Sequence, residues 1–141
     1  MNNDKVNKII FKSHFIMKKT DLLIYRIATG LLTLIMTFSA TMYFTQYEMV
    51  SENFPKAGFP VFIIYPLAIA KILGLVAIWT DKSTMLREWA YAGFVFNLLF
   101  AIGAHAHVQD GGYAPVIVAL VAVGVSYFYK HKMLKASALS D

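Results

Sequence analysis

Four long apolar stretches constrain the fold of this 141-residue chain more than any other feature of its sequence. They cover roughly residues 22–44, 59–79, 86–105 and 113–129, and charged or turn-forming residues separate them. Each stretch is close to the ~20 residues that an α-helix needs to cross the ~30 Å hydrocarbon core of a bilayer. The sequence therefore predicts an all-α membrane protein, folded as a four-helix antiparallel transmembrane bundle.

Composition argues against a water-soluble bundle of the same helices. Hydrophobic residues make up 58% of the chain and charged residues 15%, whereas a typical soluble domain has about 25% charged residues. A soluble helix also carries a polar stripe at a 3.6-residue period. The segments FPVFIIYPLAIAKILGLVAIW and APVIVALVAVGVSYFY are apolar on all sides, so we expect lipid around them.

The chain contains no cysteine, which excludes disulfides, thiolate metal sites, cysteine-bound iron–sulfur clusters and covalent haem attachment. A redox role would therefore require a bound cofactor, or a partner that carries the electrons. The net charge of +5 does not indicate a nucleic acid partner, because the basic residues flank the apolar stretches. In that position they set the topology and contact anionic lipid.

Basic residues are distributed unevenly among the connections. They precede the first span, separate the second from the third and follow the fourth: Lys5, Lys8, Lys12, Lys18, Lys19, Lys82, Arg87, Lys130, Lys132 and Lys135. The other two connections together hold one basic residue, Lys56. The positive-inside rule then places both chain ends in the cytoplasm, an N-in/C-in topology.

The length of the chain allows one domain, which we expect over residues 17–132. Residues 1–16 read as a basic N-terminal extension, for which we expect weak order, and residues 133–141 as a cytoplasmic tail. Met17 opens the run MKKTDLLIYR and is an alternative to Met1 as the native start. The connections ENFPKAGFP, TDKST and QDGGYAP contain the Pro, Gly and polar residues that end or cap helices.

Lys71 is the sharpest candidate for a functional residue. It lies about eight residues, or ~12 Å, inside the second span, and a lysine near mid-membrane costs about 2.5–3.5 kcal/mol on insertion scales. Such a residue usually faces a partner or a cavity, although its stem could instead lift the ammonium to the cytoplasmic headgroups. A contact between Lys71 and the acidic residue Glu88 is possible, although the side chains would have to be stretched to form it. The neutral candidates at a comparable depth are Asn97, Thr29, Thr33 and Thr37.

Asn97 is expected to form a helix–helix hydrogen bond, typically worth ~1 kcal/mol or less, with contact to a substrate as the alternative. A second polar group gathers at the other end of the bundle: Tyr43, Gln46, Tyr47, Glu48, Glu52, His105, His107, Gln109 and Asp110. His105 and His107 point ~200° apart on one helix, so we predict no metal site there. Histidines at a helix C-terminus are favoured by the helix dipole alone.

Several spaced motifs resemble the small DoxX-like membrane proteins. The run LREWAYAGFVFNLLFAIGAHAHVQDGG looks like their third helix and following loop, GFPVFIIYPLAIAKILG is similar to their second helix, and TFSATMYF resembles the end of their first. The resemblance covers roughly residues 17–132. It implies a four-helix bundle in the bacterial inner (cytoplasmic) membrane.

The resemblance also suggests which residues to examine. Lys71, Glu88, Trp89, Asn97, His105 and Asp110 match recurrent positions of the family. Members often place an acid a few residues before the lysine, whereas Tyr65 and Pro66 occupy that neighbourhood here. The candidate ligand-binding residues are therefore Lys71, Asn97, Glu88, His105 and Asp110.

Three functions follow as hypotheses, because neither a nucleophile–base arrangement nor paired carboxylates nor a phosphate loop is recognisable. The first is a non-enzymatic subunit or accessory protein of a membrane complex, since the broader family includes a membrane subunit of a thiosulfate:quinone oxidoreductase. The second is a protein that binds a quinone or lipid through Lys71 and Asn97. The third is a small transporter, which would have to form a homo-oligomer to enclose a path.

Overall fold

The computed structural model describes residues 3–138, apart from the side chains of residues 13–17. The helices, in chain order, are α1 (Asn3–Thr45), α2 (Tyr47–Lys56), a short 3-10 helix (Val61–Ile63), α3 (Ile64–Thr80), α4 (Thr84–Val108) and α5 (Tyr113–Ala138). Within residues 3–138 the chain forms no strand. Four stretches are long and apolar enough to cross a membrane: Lys18–Thr45, Val61–Thr80, Thr84–Val108 and Tyr113–Ala138. The predicted all-α fold with four spans is confirmed.

The four spanning helices form a ring in which α1 and α4 each contact both α3 and α5. Short connections join α3 to α4 and α4 to α5, so these neighbours run antiparallel. The inward faces interdigitate in one core that includes Leu32, Met36, Ile78, Phe94 and Val123. Large apolar side chains on the outer faces remain exposed, which is the pattern that lipid as a solvent allows: Leu34, Phe38, Phe62, Leu73, Trp89 and Phe96.

A chain of hydroxyl groups ties α4, α5 and α1 together inside this core. Thr29 Oγ1 donates to the carbonyl oxygen of Tyr25 at 2.7 Å, so its own oxygen is left to accept from Ser126 Oγ, 2.7 Å away. Ser126 Oγ in turn lies 2.8 Å from the hydroxyl of Tyr91. The three hydroxyls therefore satisfy one another, as buried polar groups in a membrane protein must.

Helix α2 was not predicted, because the segment ENFPKAGFP was interpreted as a connection without helix. Pro55 does not prevent the helix, since it lies in the last turn and the helix ends one residue later. Val50 is buried while Glu48 and Glu52 are exposed, and such an amphipathic helix suits the surface of a membrane. Gly58, with φ of +84°, then reverses the chain toward α3.

The chain ends are helical where they are described. Helix α1 runs without interruption from Asn3, and α5 continues to Ala138, past the expected start of the tail at residue 133. Weak order of residues 1–16 stays a prediction. Residues 1–2 and 139–141 and the side chain of Met17 lie outside the described part of the chain.

Candidate functional site

Lys71 is buried between α3 and α1, with 4% of its surface exposed. Its Nζ donates a hydrogen bond of 2.8 Å to Ser39 Oγ and lies 4.0 Å from the centroid of the Tyr43 ring. Within residues 3–138 no carboxylate forms an ion pair with this ammonium. The positive charge is therefore held by a hydroxyl and an aromatic face, both of them neutral.

The ammonium points toward the end of the bundle that carries α2, opposite to the expected snorkelling direction. Helical side chains lean toward the N-terminus of their helix, which for α3 is the end that follows α2. Two of the three threonines expected as partners are engaged elsewhere: Thr29 bonds to Ser126, and Thr33 accepts a hydrogen bond of 2.9 Å from Trp79 Nε1. Ser39, nearer the C-terminal end of α1, takes their place.

A groove of about 340 Å³ runs between α3 and α4 and contains both polar candidates of the membrane interior. Its lining includes Lys71 and Asn97 together with apolar and small residues: Leu67, Ala70, Leu73, Gly74, Ala77, Leu86, Trp89, Ala90, Gly93 and Phe94. Several of these, among them Ala70, Leu73 and Trp89, are exposed on the outer face of the bundle. The groove therefore opens toward the surrounding lipid.

Asn97 is half-buried in this groove, and its carboxamide forms no hydrogen bond with any residue that the structure describes. The expected helix–helix hydrogen bond is thus not present among these residues. An amide without a partner in an apolar medium costs free energy, so a ligand that supplied an acceptor or donor would be favoured there. The structure brings Lys71 and Asn97 to one groove without joining them to each other.

Two glycines set the shape of the groove in different ways. A Cβ atom added at Gly74 would lie 2.9 Å from Cζ of the Phe94 ring, so glycine is what allows α3 and α4 to approach there. A Cβ atom added at Gly93 would meet nothing within 4 Å. Gly93 therefore borders open space, and Gly74 marks the contact between the two helices.

Glu88 lies away from the groove, at the end of the bundle where the connection between α3 and α4 meets the C-terminal part of α5. We name this group of residues the basic-end cluster: Asp81, Arg87, Glu88, Lys130 and His131. Glu88 Oε1 is 3.5 Å from Arg87 Nε and 3.3 Å from His131 Nε2. The stretched contact between Glu88 and Lys71 that the sequence allowed is not formed, because the two side chains face different neighbours.

Asp81 is the centre of the basic-end cluster. It ends α3 in the left-handed conformation, with φ of +51°, and its carboxylate accepts hydrogen bonds from Arg87 and Lys130. Partial burial acts to raise the pKa of Asp81, but the hydrogen bonds and charges of Lys130 and Arg87 outweigh it and lower that pKa. The paired carboxylate is what permits Arg87 to be 96% buried.

His105 and Asp110 meet at the opposite end, in the last turn of α4 and the loop after it. His105 Nδ1 lies 2.7 Å from Asp110 Oδ1, which also accepts from the backbone N–H of Gly112 at 2.8 Å. The Gly112 hydrogen bond and then His105 lower the pKa of Asp110. Across residues 3–138 no three His, Cys, Asp or Glu side chains converge into a metal-binding group.

The five sequence-predicted residues thus occupy three places: Lys71 and Asn97 in the groove, Glu88 in the basic-end cluster, and His105 with Asp110 at the other end. Sequence reasoning missed Ser39 and Tyr43 as the partners of Lys71. It also assigned Arg87 and Lys130 to topology alone, and it treated Asp81 as part of TDKST, a connection that caps the next helix. The separation of 49 positions between Asp81 and Lys130 leaves no local signal of their contact.

Comparisons with known proteins agree with this architecture. A family model described as the DoxX-like family matches residues 27–126, which include all five candidate residues and exclude Lys130 and His131. A search of curated proteins and a search of solved structures gave no match. With a match over more than half of its length and four helices able to span a membrane, this chain is an integral, multi-pass membrane protein that belongs to the DoxX-like family.

Proposed function

We propose that this protein binds the polar head of a lipid-soluble molecule, a quinone or a lipid, in the groove between α3 and α4. The observation that carries the proposal is that the two polar residues Lys71 and Asn97 line one groove that opens to lipid. Lys71 is a buried cation with neutral partners, and Asn97 has no hydrogen bond among the described residues. Ionisable and polar groups placed inside a membrane in this way are costly and mark functional sites.

The groove has the dimensions and chemistry for such a head group. Its volume of about 340 Å³ lies within the ~300–1,000 Å³ of small-molecule sites. The ammonium of Lys71 has three N–H donors, of which Ser39 uses one. The Asn97 amide offers further donors, which suit the carbonyl oxygens of a quinone or the oxygens of a lipid head. Trp89 supplies an exposed aromatic surface along the same groove.

Lipid extraction followed by mass spectrometry tests the proposal. Protein purified from native membranes in mild detergent is expected to carry one quinone or lipid species in stoichiometric amount. Lys71→Met should reduce its occupancy about tenfold, which corresponds to the loss of one charge-assisted hydrogen bond of about 1.5 kcal/mol. Lys56→Met is the matched control, because Lys56 is an exposed lysine remote from the groove.

Gly93→Leu gives a second, independent test. The substitution fills open space in the groove and leaves both polar groups in place, so it should displace the bound molecule by steric exclusion. The same lipid profile in the wild type, Lys71→Met and Gly93→Leu would contradict the proposal.

The binding role is compatible with service as a non-enzymatic subunit or accessory protein, and α4 carries the feature that favours a partner there. Of the residues in its apolar stretch, 17% are buried within the bundle, whereas 28% are buried in each of the other three spans. Phe96 and Phe100 are more than 60% exposed on this helix. Photo-crosslinking from Phe96 should capture a membrane protein that Phe38, an equally exposed residue of α1, does not. If the protein stayed monomeric after crosslinking from either position, that result would count against a partner.

For the membrane itself we propose the inner (cytoplasmic) membrane, with both chain ends inside. The basic residues at the ends of α3 and α5 and in the N-terminal part of α1 support this orientation. Reporter fusions at the C-terminus should be active in the cytoplasm. Activity outside the cell would reverse the orientation.

Transport by an oligomer is less well supported. The polar groove opens on the outer face of the bundle, and the interior between the four helices is filled by apolar side chains and by the hydroxyl groups of Thr29, Tyr91 and Ser126, which bond to one another. A substrate flux across liposomes above that of empty vesicles would favour transport over binding.

A further inference from the structure

The described part of the chain buries two cations and provides a countercharge for one of them. Arg87 and Lys71 each have 4% of their surface exposed. The Arg87 guanidinium forms ion pairs with the carboxylates of Asp81 and Glu88. None of the ion pairs within the described residues includes the ammonium of Lys71. The positive charge of Lys71 is therefore not balanced by this part of the protein.

The neighbours of the Lys71 ammonium do not reduce its charge. They are the hydroxyl of Ser39 and the face of the Tyr43 ring, and both groups are neutral. A charged side chain inside a membrane span usually pairs with an opposite charge, because an unpaired charge there is costly. Ser39 accepts one of the three N–H groups of the ammonium, so a ligand oxygen can accept another. A negatively charged ligand would supply the missing countercharge.

The groove between α3 and α4 has a polar level followed by a long apolar part. The two helices run antiparallel and approach each other at Gly74 and Phe94, so Lys71 and Asn97, each three residues away, lie close to the same level. Most of the other lining residues lie between this level and the basic-end cluster, and they are apolar or glycine. Trp89, on this side, is eight residues or ~12 Å from Asn97 along α4. The lining thus suits a polar head with a chain that follows the groove.

We propose that the ligand of this groove is an anionic amphiphile, with an oxyanion, either a carboxylate or a phosphate, on an acyl chain. This inference rests on the proposed function and specifies the head group that the groove selects. The oxyanion accepts hydrogen bonds from Lys71 Nζ and the Asn97 carboxamide, and it balances the charge of the ammonium. A neutral quinone head accepts the same hydrogen bonds but leaves that charge unbalanced. Hydrogen bonds between two charged groups are also the stronger ones.

Fluorescence quenching in nanodiscs of zwitterionic lipid tests the charge of the ligand. The chain has two tryptophans. Trp89 lines the groove, whereas Trp79 is not among the lining residues and bonds to Thr33 of α1. In Trp79→Phe protein, stearic acid brominated at mid-chain should quench Trp89 at a concentration about tenfold lower than its uncharged methyl ester requires. In Trp89→Phe protein, Trp79 reports on the surrounding lipid and corrects for the partition of each compound into the nanodisc.

Substitutions of Lys71, made in Trp79→Phe protein, show whether the charge of this residue causes the preference. Lys71→Gln keeps hydrogen-bond donors without a charge and should respond equally to the acid and the ester. Lys71→Arg keeps the charge and should retain the preference for the acid. Lys56→Gln removes an exposed lysine of α2 and should behave as the unsubstituted lysine does, which separates the groove from the net charge of +5. If the Lys71 variants do not fold, the comparison of acid and ester in Trp79→Phe protein decides by itself.

The source of the oxyanion follows from a second pair of brominated compounds, phosphatidic acid and the neutral diacylglycerol. Stronger quenching of Trp89 by phosphatidic acid assigns a lipid phosphate, whereas a preference found for the free acid alone assigns an acyl carboxylate. Either result supports the proposal. Equal quenching of Trp89 by charged and neutral compounds, above that of Trp79, would overturn the anionic ligand and leave binding of a neutral head intact. If no compound quenched Trp89 more than Trp79, this inference and the proposed function would both be wrong.

Discussion

The ammonium of Lys71 donates a hydrogen bond of 2.8 Å to the hydroxyl of Ser39, on the helix next to its own. This bond joins α3 to α1, as the bond from Trp79 Nε1 to Thr33 does, and the Tyr43 ring covers the same ammonium from 4.0 Å. Tyr43 in turn meets Phe54 of α2 edge to face, with ring centroids 5.4 Å apart. The buried charge is therefore connected to the surface helix through one aromatic residue.

Replacement of Lys71 by methionine separates a structural role from a binding role. The lost hydrogen bond and ring contact are each worth about 0.5–2 kcal/mol, while removal of a mid-membrane ammonium regains about 2.5–3.5 kcal/mol on insertion scales. We expect the free energy of unfolding to stay within about 1 kcal/mol of wild type or to rise. Thermal unfolding in detergent measures this, and a loss of about 3 kcal/mol would instead assign Lys71 to the scaffold.

Gly74→Ala and Gly93→Ala form a matched pair. Both exchanges bring the same gain in helix propensity, but the first places a methyl group 2.9 Å from the buried Phe94 ring and the second enters open space. Gly74→Ala should be less stable than Gly93→Ala by about 1–3 kcal/mol. Equal unfolding temperatures for the two variants would show that α3 and α4 are not packed as closely as described.

Asp81→Ala should weaken the basic end of the bundle. The substitution leaves Arg87 buried without its principal partner and frees Lys130. Because Asp81 is itself about a third exposed, we expect a loss of about 1–3 kcal/mol, below that of a fully buried pair. Lys82→Ala, at the exposed neighbouring residue, is the control and should change stability by less than about 0.5 kcal/mol.

The lowered pKa of Asp81 predicts how this loss depends on pH. A carboxyl group whose pKa in the folded state lies below the unfolded value, here 3.8, stabilises the fold above that value. The contribution disappears as the pH falls through the folded-state pKa. The stability difference between wild type and Asp81→Asn should therefore be constant near neutral pH and shrink below about pH 4. A difference that grows toward acid pH would have the wrong sign.

Ser126→Ala should disrupt the buried hydroxyl chain. The change leaves the Tyr91 hydroxyl without its acceptor and Thr29 Oγ1 without its donor. Interhelical hydrogen bonds in membranes average about 0.6 kcal/mol with a maximum near 1.7, so two of them predict a loss of about 1–3 kcal/mol. Ser51→Ala, on the exposed surface of α2, serves as the reference in the same unfolding measurement.

The spans were predictable because their signal is local. Twenty apolar residues in a row have few alternatives to a membrane helix, and the four-span fold follows. The short helix α2 escaped prediction because ten mixed residues with Pro55 give no periodic signal that outweighs a helix breaker. In the fold α2 makes tertiary contacts such as that between Phe54 and Tyr43, which no local pattern predicts.

The candidate site was predictable only in part, for a related reason. The rarity of a lysine or asparagine inside a span identified Lys71 and Asn97 from sequence, since membrane depth is encoded by position along a helix. The partners of Lys71 depend on helix rotation and side-chain direction, which sequence position does not give. The same holds for Asp81 with Lys130 and for Glu88 with His131, pairs that arise from the packing of α5 against the rest of the bundle.

A high-resolution map of the protein in lipid, with density inspected beside Lys71 and Asn97, tests the central proposal most directly. The proposal predicts an ordered head group in the groove between α3 and α4, with an oxygen within hydrogen-bonding distance of the Lys71 ammonium or the Asn97 amide. A groove occupied by the same disordered acyl chains as the outer faces of the other helices would contradict it.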